Sequence, residues 1–92
     1  MARPMETDLY QKLILSNFSF LPRGTRTIYE IYDAVKAQYP ALCDDFYYCF
    51  KNCRSGNNQP EWNHTVRNAL QSLKSKDGTI TYTGRRGFWK FQ

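Results

Sequence analysis

No stretch of this 92-residue chain approaches the roughly 20 consecutive apolar residues that a membrane-spanning helix needs. The first residues, MARPMETD, hold no apolar core of the signal-peptide kind. The expectation is a soluble protein that stays where it is made, at the cytoplasmic nucleoid of a prokaryote or in a eukaryotic nucleus. Cysteine is scarce and odd in number, with only Cys43, Cys49 and Cys53, which argues against a disulfide framework. In such a compartment the Asn-x-Ser/Thr triplets at Asn17 and Asn63 have no use as glycosylation acceptors. Histidine occurs once, at His64, and no glycine-rich loop could cradle a phosphate. The carboxylates are scattered, and Asp44-Asp45 is an adjacent pair better read as a helix cap than as groups facing across a site. No nucleophile–base arrangement can be assembled, so a binding module without catalytic chemistry or cofactor is expected. Internal repeats and low-complexity tracts are also lacking.

Aromatic residues, by contrast, are plentiful: seven Tyr, six Phe and two Trp. Such a chain packs a core rather than remaining disordered. At this length one domain, residues 1–92, is expected, burying about 60–65% of the unfolded surface. The net charge is +5, and its distribution says more than its sum. Residues 1–50 carry five cations against six carboxylates, whereas residues 51–92 carry eight against two. All the excess positive charge lies in the second half, which is the electrostatic footprint of a nucleic-acid binder.

That half ends in PEWNHTVRNALQSLKSKDGTITYTGRRGFWKFQ. Pro60 suits the first turn of a helix, where its missing N–H costs nothing. Val66, Ala69, Leu70 and Leu73 recur at helical spacing, with Trp62 at the leading edge, and define a core stripe. The opposite face carries Glu61, His64, Asn68, Gln71 and Ser75, flanked by Arg67 and Ser72. A hairpin follows Lys76–Gly78, with TGRRG as its turn and Trp89 and Phe91 expected to point inward.

Upstream, Thr7 is the expected N-cap of a first helix that buries Leu9, Leu13 and either Tyr10 or Ile14. Residues 17–24 read as a loop, and an extended piece around Thr25–Arg26 can pair with the later hairpin. Thr27 and Glu30 have capping-box spacing and open a second helix whose stripe is Ile28, Ile31, Tyr32, Val35 and Tyr39, ended by Pro40. The spacing of Leu42, Phe46, Cys49, Phe50 and Cys53 predicts a short helix from about Asp44 to Asn52, and residues 54–59 form a polar, turn-rich connection. The expected fold is α+β: a winged helix-turn-helix with three main helices, a short inserted helix and a C-terminal two-stranded wing.

A helix in the major groove reads base edges with its exposed face. On that face Asn68 and Gln71 can each pair bidentately with adenine, Arg67 can read guanine or hold a phosphate, and His64 can hydrogen-bond or stack. Arg85 and Arg86, at the tip of a glycine-flanked turn, are placed for phosphate or the minor groove, with Lys74, Lys76 and Lys90 adding backbone contacts. Trp62 either plugs the core or lines an apolar pocket for a base methyl group, a task for which Tyr47 and Tyr48 are weaker candidates. Cys43, Cys49, Cys53 and His64 together make a zinc set on paper. Their spacing is not a compact knuckle, however, and Cys49 and Cys53 fall on the apolar stripe, so no metal is expected. The alternative to DNA is a protein–protein contact through the aromatic segment 46–50, with Phe46, Tyr47, Tyr48 and Phe50.

Three segments carry a family likeness: TIYEIYDAVKAQYP, then PEW-x-H-x-VR-x-AL-x-x-L, then I-x-Y-x-GR-x-G-x-W-x-F. Over roughly residues 25–92 the chain resembles the winged-helix modules of prokaryotic restriction endonucleases, namely the N-terminal domains of Mrr-type enzymes and the C-terminal domain of adenine-methylation-dependent endonucleases. The resemblance implies double-stranded DNA as partner, reading of adenine-methylated sites, and a fused or associated nuclease domain. The chain itself shows no paired HNH-type histidines and no PD-(D/E)-x-K spacing. A lesser likeness, through EIYDAVKAQYP, WNHTVRNAL and GRRGFWKF, is to forkhead domains.

Overall fold

A computed structural model describes residues 4–48, 59–74, 76 and 78–92. Helix α1 spans Pro4–Ser16, one turn earlier than expected. Pro4 sits in the first turn, where a residue with fixed φ and no N–H is at home, so Thr7 lies within the helix and is not its cap. Asp8 pairs instead with Lys12 one turn on, at 3.4 Å. Leu9 and Leu13 are fully buried, and both Tyr10 and Ile14 pack at the edge of the core. The helix ends in a left-handed pair, Asn17 (φ 52°) and Phe18 (φ 55°). Asparagine tolerates that region and phenylalanine does not. The Phe18 ring offsets its strain by complete burial, 5.9 Å from the rings of both Phe20 and Phe91.

Strand β1 (Gly24–Thr27) runs directly into helix α2 (Ile28–Gln38). The capping box forms as its spacing predicts. Thr27 Oγ1 accepts from the Glu30 N–H at 3.1 Å, and Glu30 Oε1 accepts from the Thr27 N–H at 3.0 Å. Pro40 opens a single 3-10 turn, Pro40–Leu42.

The predicted helix from Asp44 is not formed over residues 44–48, and residues 49–52 lie outside the described part. Asp44 Oδ1 accepts the Phe46 N–H at 2.9 Å, the local side-chain bond that competes with a helix. The apolar stripe also fails, because Cys43 is buried while Phe46 is 93% exposed. Tyr48 bridges Pro60, and Tyr47 O accepts from the Glu61 N–H at 2.8 Å, so this segment caps the start of helix α3 (Glu61–Lys74). Trp62, Val66, Ala69, Leu70 and Leu73 are all buried, as the stripe requires, and α3 packs chiefly on α1.

Strands β2 (Ile80–Tyr82) and β3 (Phe88–Phe91) form the hairpin. The extended piece at Thr25–Arg26 pairs with it as expected, so the two-stranded unit becomes a three-stranded antiparallel sheet in the order β1-β3-β2. The register sets Arg26 and Tyr82 on either side of Trp89. Trp89 and Phe91 face the core at 5% and 1% exposure. The result is an α+β domain of three helices and one antiparallel sheet among the described residues. No helix among them is long and apolar enough to cross a membrane.

Candidate nucleic-acid interface

The outer face of α3 separates its four candidate base-reading residues into two kinds. Asn68 and Gln71 are exposed. His64 and Arg67 are half-buried. His64 Nδ1 lies 3.9 Å from Glu61 Oε2, and its side chain is 18% exposed. Burial, followed by the positive charge of Arg67, lowers its pKa below the usual imidazole value, so it is neutral at pH 7. Arg67 Nη2 donates to Gln59 Oε1 at 3.3 Å. Its guanidinium is also close enough to Tyr32 to draw that phenol's pKa down, although burial outweighs the charge and leaves it raised.

The hairpin turn is built by side chain and backbone together. Thr83 Oγ1 accepts from the Arg85 N–H at 3.2 Å and donates to Phe88 O at 3.1 Å. Gly84 (φ 90°) and Gly87 (φ 82°) take the left-handed conformations that close the turn. Arg85 and Arg86 are exposed, and the Arg85 guanidinium rests 4.4 Å from the centre of the Phe88 ring. Lys74, Lys76 and Lys90 are exposed as well.

Between α2, α3 and this hairpin lies a cleft of about 430 Å³. Arg67 and Gln71 line it from α3, Arg86 and Gly87 from the hairpin turn, and Gln59 from the approach to α3. Its aromatic walls are Tyr29 and Tyr32 of α2 with Tyr82 and Trp89 of the sheet. Among the described residues no carboxylate lines it. The cleft was not legible in the sequence, because its walls come from four separated segments. Its one local trace is Tyr29, an aromatic residue off the apolar stripe of α2 and 74% exposed.

Trp62 is 6% exposed, with its indole N–H donating to Asp45 Oδ1 at 2.9 Å and its ring edge-on to Tyr32 at 5.6 Å. It takes the core-plugging place of its two expected roles, and the cleft has other walls. Asp45 also pairs with Lys36 of α2, so one carboxylate ties α2 to the start of α3. Of the zinc set, Cys43 is buried and its thiol is pushed up to about 11, chiefly by burial. Cys49 and Cys53 lie outside the described residues, as do Phe50 of the aromatic segment and Ser75 of the helix face. Among the described residues no cluster of three or more metal-ligating side chains occurs. No protein-family model matches the chain, and no curated protein and no solved structure matches it either.

Proposed function

We propose that the domain is a winged helix-turn-helix module that binds duplex DNA. In this reading α3 lies in the major groove and the β2–β3 hairpin serves as a wing on the backbone or in the minor groove. The observation that carries it is the cleft itself. Arg67 and Gln71 of α3 share it with Arg86 of the hairpin turn, so the polar helix face and the basic turn adjoin. The element order α1–β1–α2–α3–β2–β3 supports the same reading. Exposed Asn68 and Gln71 offer the paired donor and acceptor that adenine presents in the major groove. Arg85, Arg86, Lys74, Lys76 and Lys90 supply phosphate contacts whose strength falls with salt. The module has no chemistry of its own, and a nuclease fused to it or associated with it would act at the site it selects.

The test is retention of fragmented genomic duplex, half of it adenine-methylated, followed by sequencing of what is retained. Enrichment of a motif supports the reading, and enrichment confined to the methylated half makes the module a modified-base reader. Retention of nothing at moderate salt overturns it. That result would favour the second reading, a protein contact centred on Phe46, which stands 93% exposed on the segment that caps α3.

A further inference from the structure

The geometry points to the cleft between α2, α3 and the hairpin as a pocket for one nucleobase unstacked from its strand, with the adjoining phosphate held by Arg86 and Arg67. This inference rests on the DNA-binding reading and gives it a second recognition site, beyond the exposed face of α3. A base that stays paired presents only its edge to a helix in the groove, whereas a concave pocket with aromatic walls accepts a ring face.

The volume of about 430 Å³ lies in the range of small-ligand sites. Tyr82 stands against Trp89 with ring centres 5.1 Å apart, and Tyr29 against Tyr32 at 6.5 Å. Trp89 and Tyr32 belong to the core and its edge, and each backs a ring that is not spent there, since Tyr29 is 74% and Tyr82 41% exposed. Aromatic rings left accessible in a basic cleft are the usual stacking platform for single-stranded bases. The two rims are also fixed to each other, because the Ile28 N–H donates to Gly87 O at 2.7 Å, joining the first turn of α2 to the hairpin.

Charge decides among ligand classes. Among the described residues two guanidiniums and no carboxylate line the cleft, which repels the quaternary ammonium groups that an all-aromatic cage would attract. A planar ligand carrying an anion fits. Phosphotyrosine and a nucleotide share that description, and the DNA-binding reading of the helix face and basic turn that adjoin at the cleft favours the nucleotide. Gln59, whose Oε1 takes the Arg67 N–H, and Gln71 lie on the same cleft, so its polar wall is amide and guanidinium together.

The experiment uses the full chain and two duplexes of one sequence, one fully paired and one carrying a single unpaired 2-aminopurine. Stacking in the pocket should make the bulged duplex bind roughly 5- to 150-fold more tightly and should quench 2-aminopurine emission on binding. Tyr29→Ala, a change at an exposed helical position, should remove both effects, so that the variant binds the bulged and the paired duplex with equal affinity and leaves the emission unchanged. Tyr29→Phe should keep both, because the ring and not its hydroxyl provides the stacking. Equal affinity for the two duplexes, with unchanged emission, overturns the pocket and leaves the DNA-binding reading standing. Failure to bind either duplex overturns that reading. Binding of a phosphotyrosine peptide that Tyr29→Ala abolishes, with no preference for the bulged duplex, gives the pocket to a different ligand.

Discussion

Replacing Arg85 and Arg86 together by alanine probes the hairpin turn with a magnitude that can be worked in advance. Five exposed cations, Lys74, Lys76, Arg85, Arg86 and Lys90, surround the end of α3 and the hairpin. If each neutralises one phosphate, log affinity falls against log salt with a slope of about −4.5, and removal of two brings it to about −2.7. From 50 to 200 mM salt the parent chain should lose roughly 500-fold in affinity and the double variant roughly 40-fold. The fold should survive the change. Both side chains are exposed, and the chief interaction removed is the stacking of the Arg85 guanidinium on the Phe88 ring, worth about 0.5–1 kcal/mol at an exposed site. Fluorescence anisotropy with one labelled duplex across that salt range measures both slopes, and thermal unfolding confirms that the variant is folded. Parallel slopes for the two proteins would refute the placement of this turn on DNA. The companion change Asn68→Ala should cost about 1–3 kcal/mol of discrimination against the wrong base while affinity for mixed sequence barely moves; a uniform loss would show that this face reads no bases.

Thr27→Ala removes the hydroxyl half of the capping box and should cost about 1 kcal/mol, seen as a fall of about 4–8 °C in Tm by calorimetry. Burial, followed by the charge of Arg67, holds the His64 pKa below its usual value of 6.5 in the folded chain, so well above that pH neither state holds its proton. As pH falls from 6.5 toward the folded pKa the unfolded chain protonates first and stability drops, and His64→Gln should abolish that part of the loss in denaturant titrations. The lowered pKa of Glu30 acts in a separate, more acidic window, where its loss of stability begins only below 4.5. In a Cys49→Ser/Cys53→Ser background the remaining Cys43, with its thiol pushed up to about 11, should react with a disulfide reagent at pH 8 roughly 90-fold more slowly folded than unfolded. Comparable rates would show that this cysteine is not held in the core.

Helix α3 was legible because its signal is local: a stripe at period 3.6 with every stripe residue buried. The capping box of α2 was legible for the same reason, since Thr27 and Glu30 meet within one turn. The hairpin and its inward Trp89 and Phe91 followed from alternation around a glycine-bounded turn. Two local signals misled. Thr7 has the chemistry of an N-cap, but Pro4 begins the helix one turn earlier. Leu42, Phe46 and Cys49 have helical spacing, yet the Asp44 carboxylate takes the Phe46 N–H and Phe46 stands outward. Of the site, the exposed Asn68 and Gln71 and the basic turn could be read directly, because exposure of a polar helix face follows from burial of its opposite. The engagement of Arg67 with Gln59, and the cleft as a whole, could not. They join residues 28–32, 59, 67–71 and 82–89, and no periodicity spans such gaps.

What joins those segments is strand register. β1 lies antiparallel to β3 with Thr27 opposite Phe88, so α2 begins beside the hairpin turn. The Ile28 N–H to Gly87 O bond then sets Tyr29 against the turn that carries Arg86. On the other strand, Tyr82 lies opposite Trp89, and its ring meets the Trp89 indole. A slip of β3 by one residue would turn Trp89 and Phe91 out of the core and bring Phe88 and Lys90 into it, because side chains alternate across a sheet. The same slip would part Tyr82 from Trp89 and move Gly87 away from Ile28. At the other end of the site, Asp45 holds the Trp62 indole, and Tyr47 O holds the Glu61 N–H, which fixes the entry of α3 against α2. Burial of Trp89 and Phe91 therefore selects the register that also assembles the cleft. The cleft is thus set first by the packing of the core, and the exposed residues beside it, Asn68, Arg85 and Arg86, can change with little cost to folding.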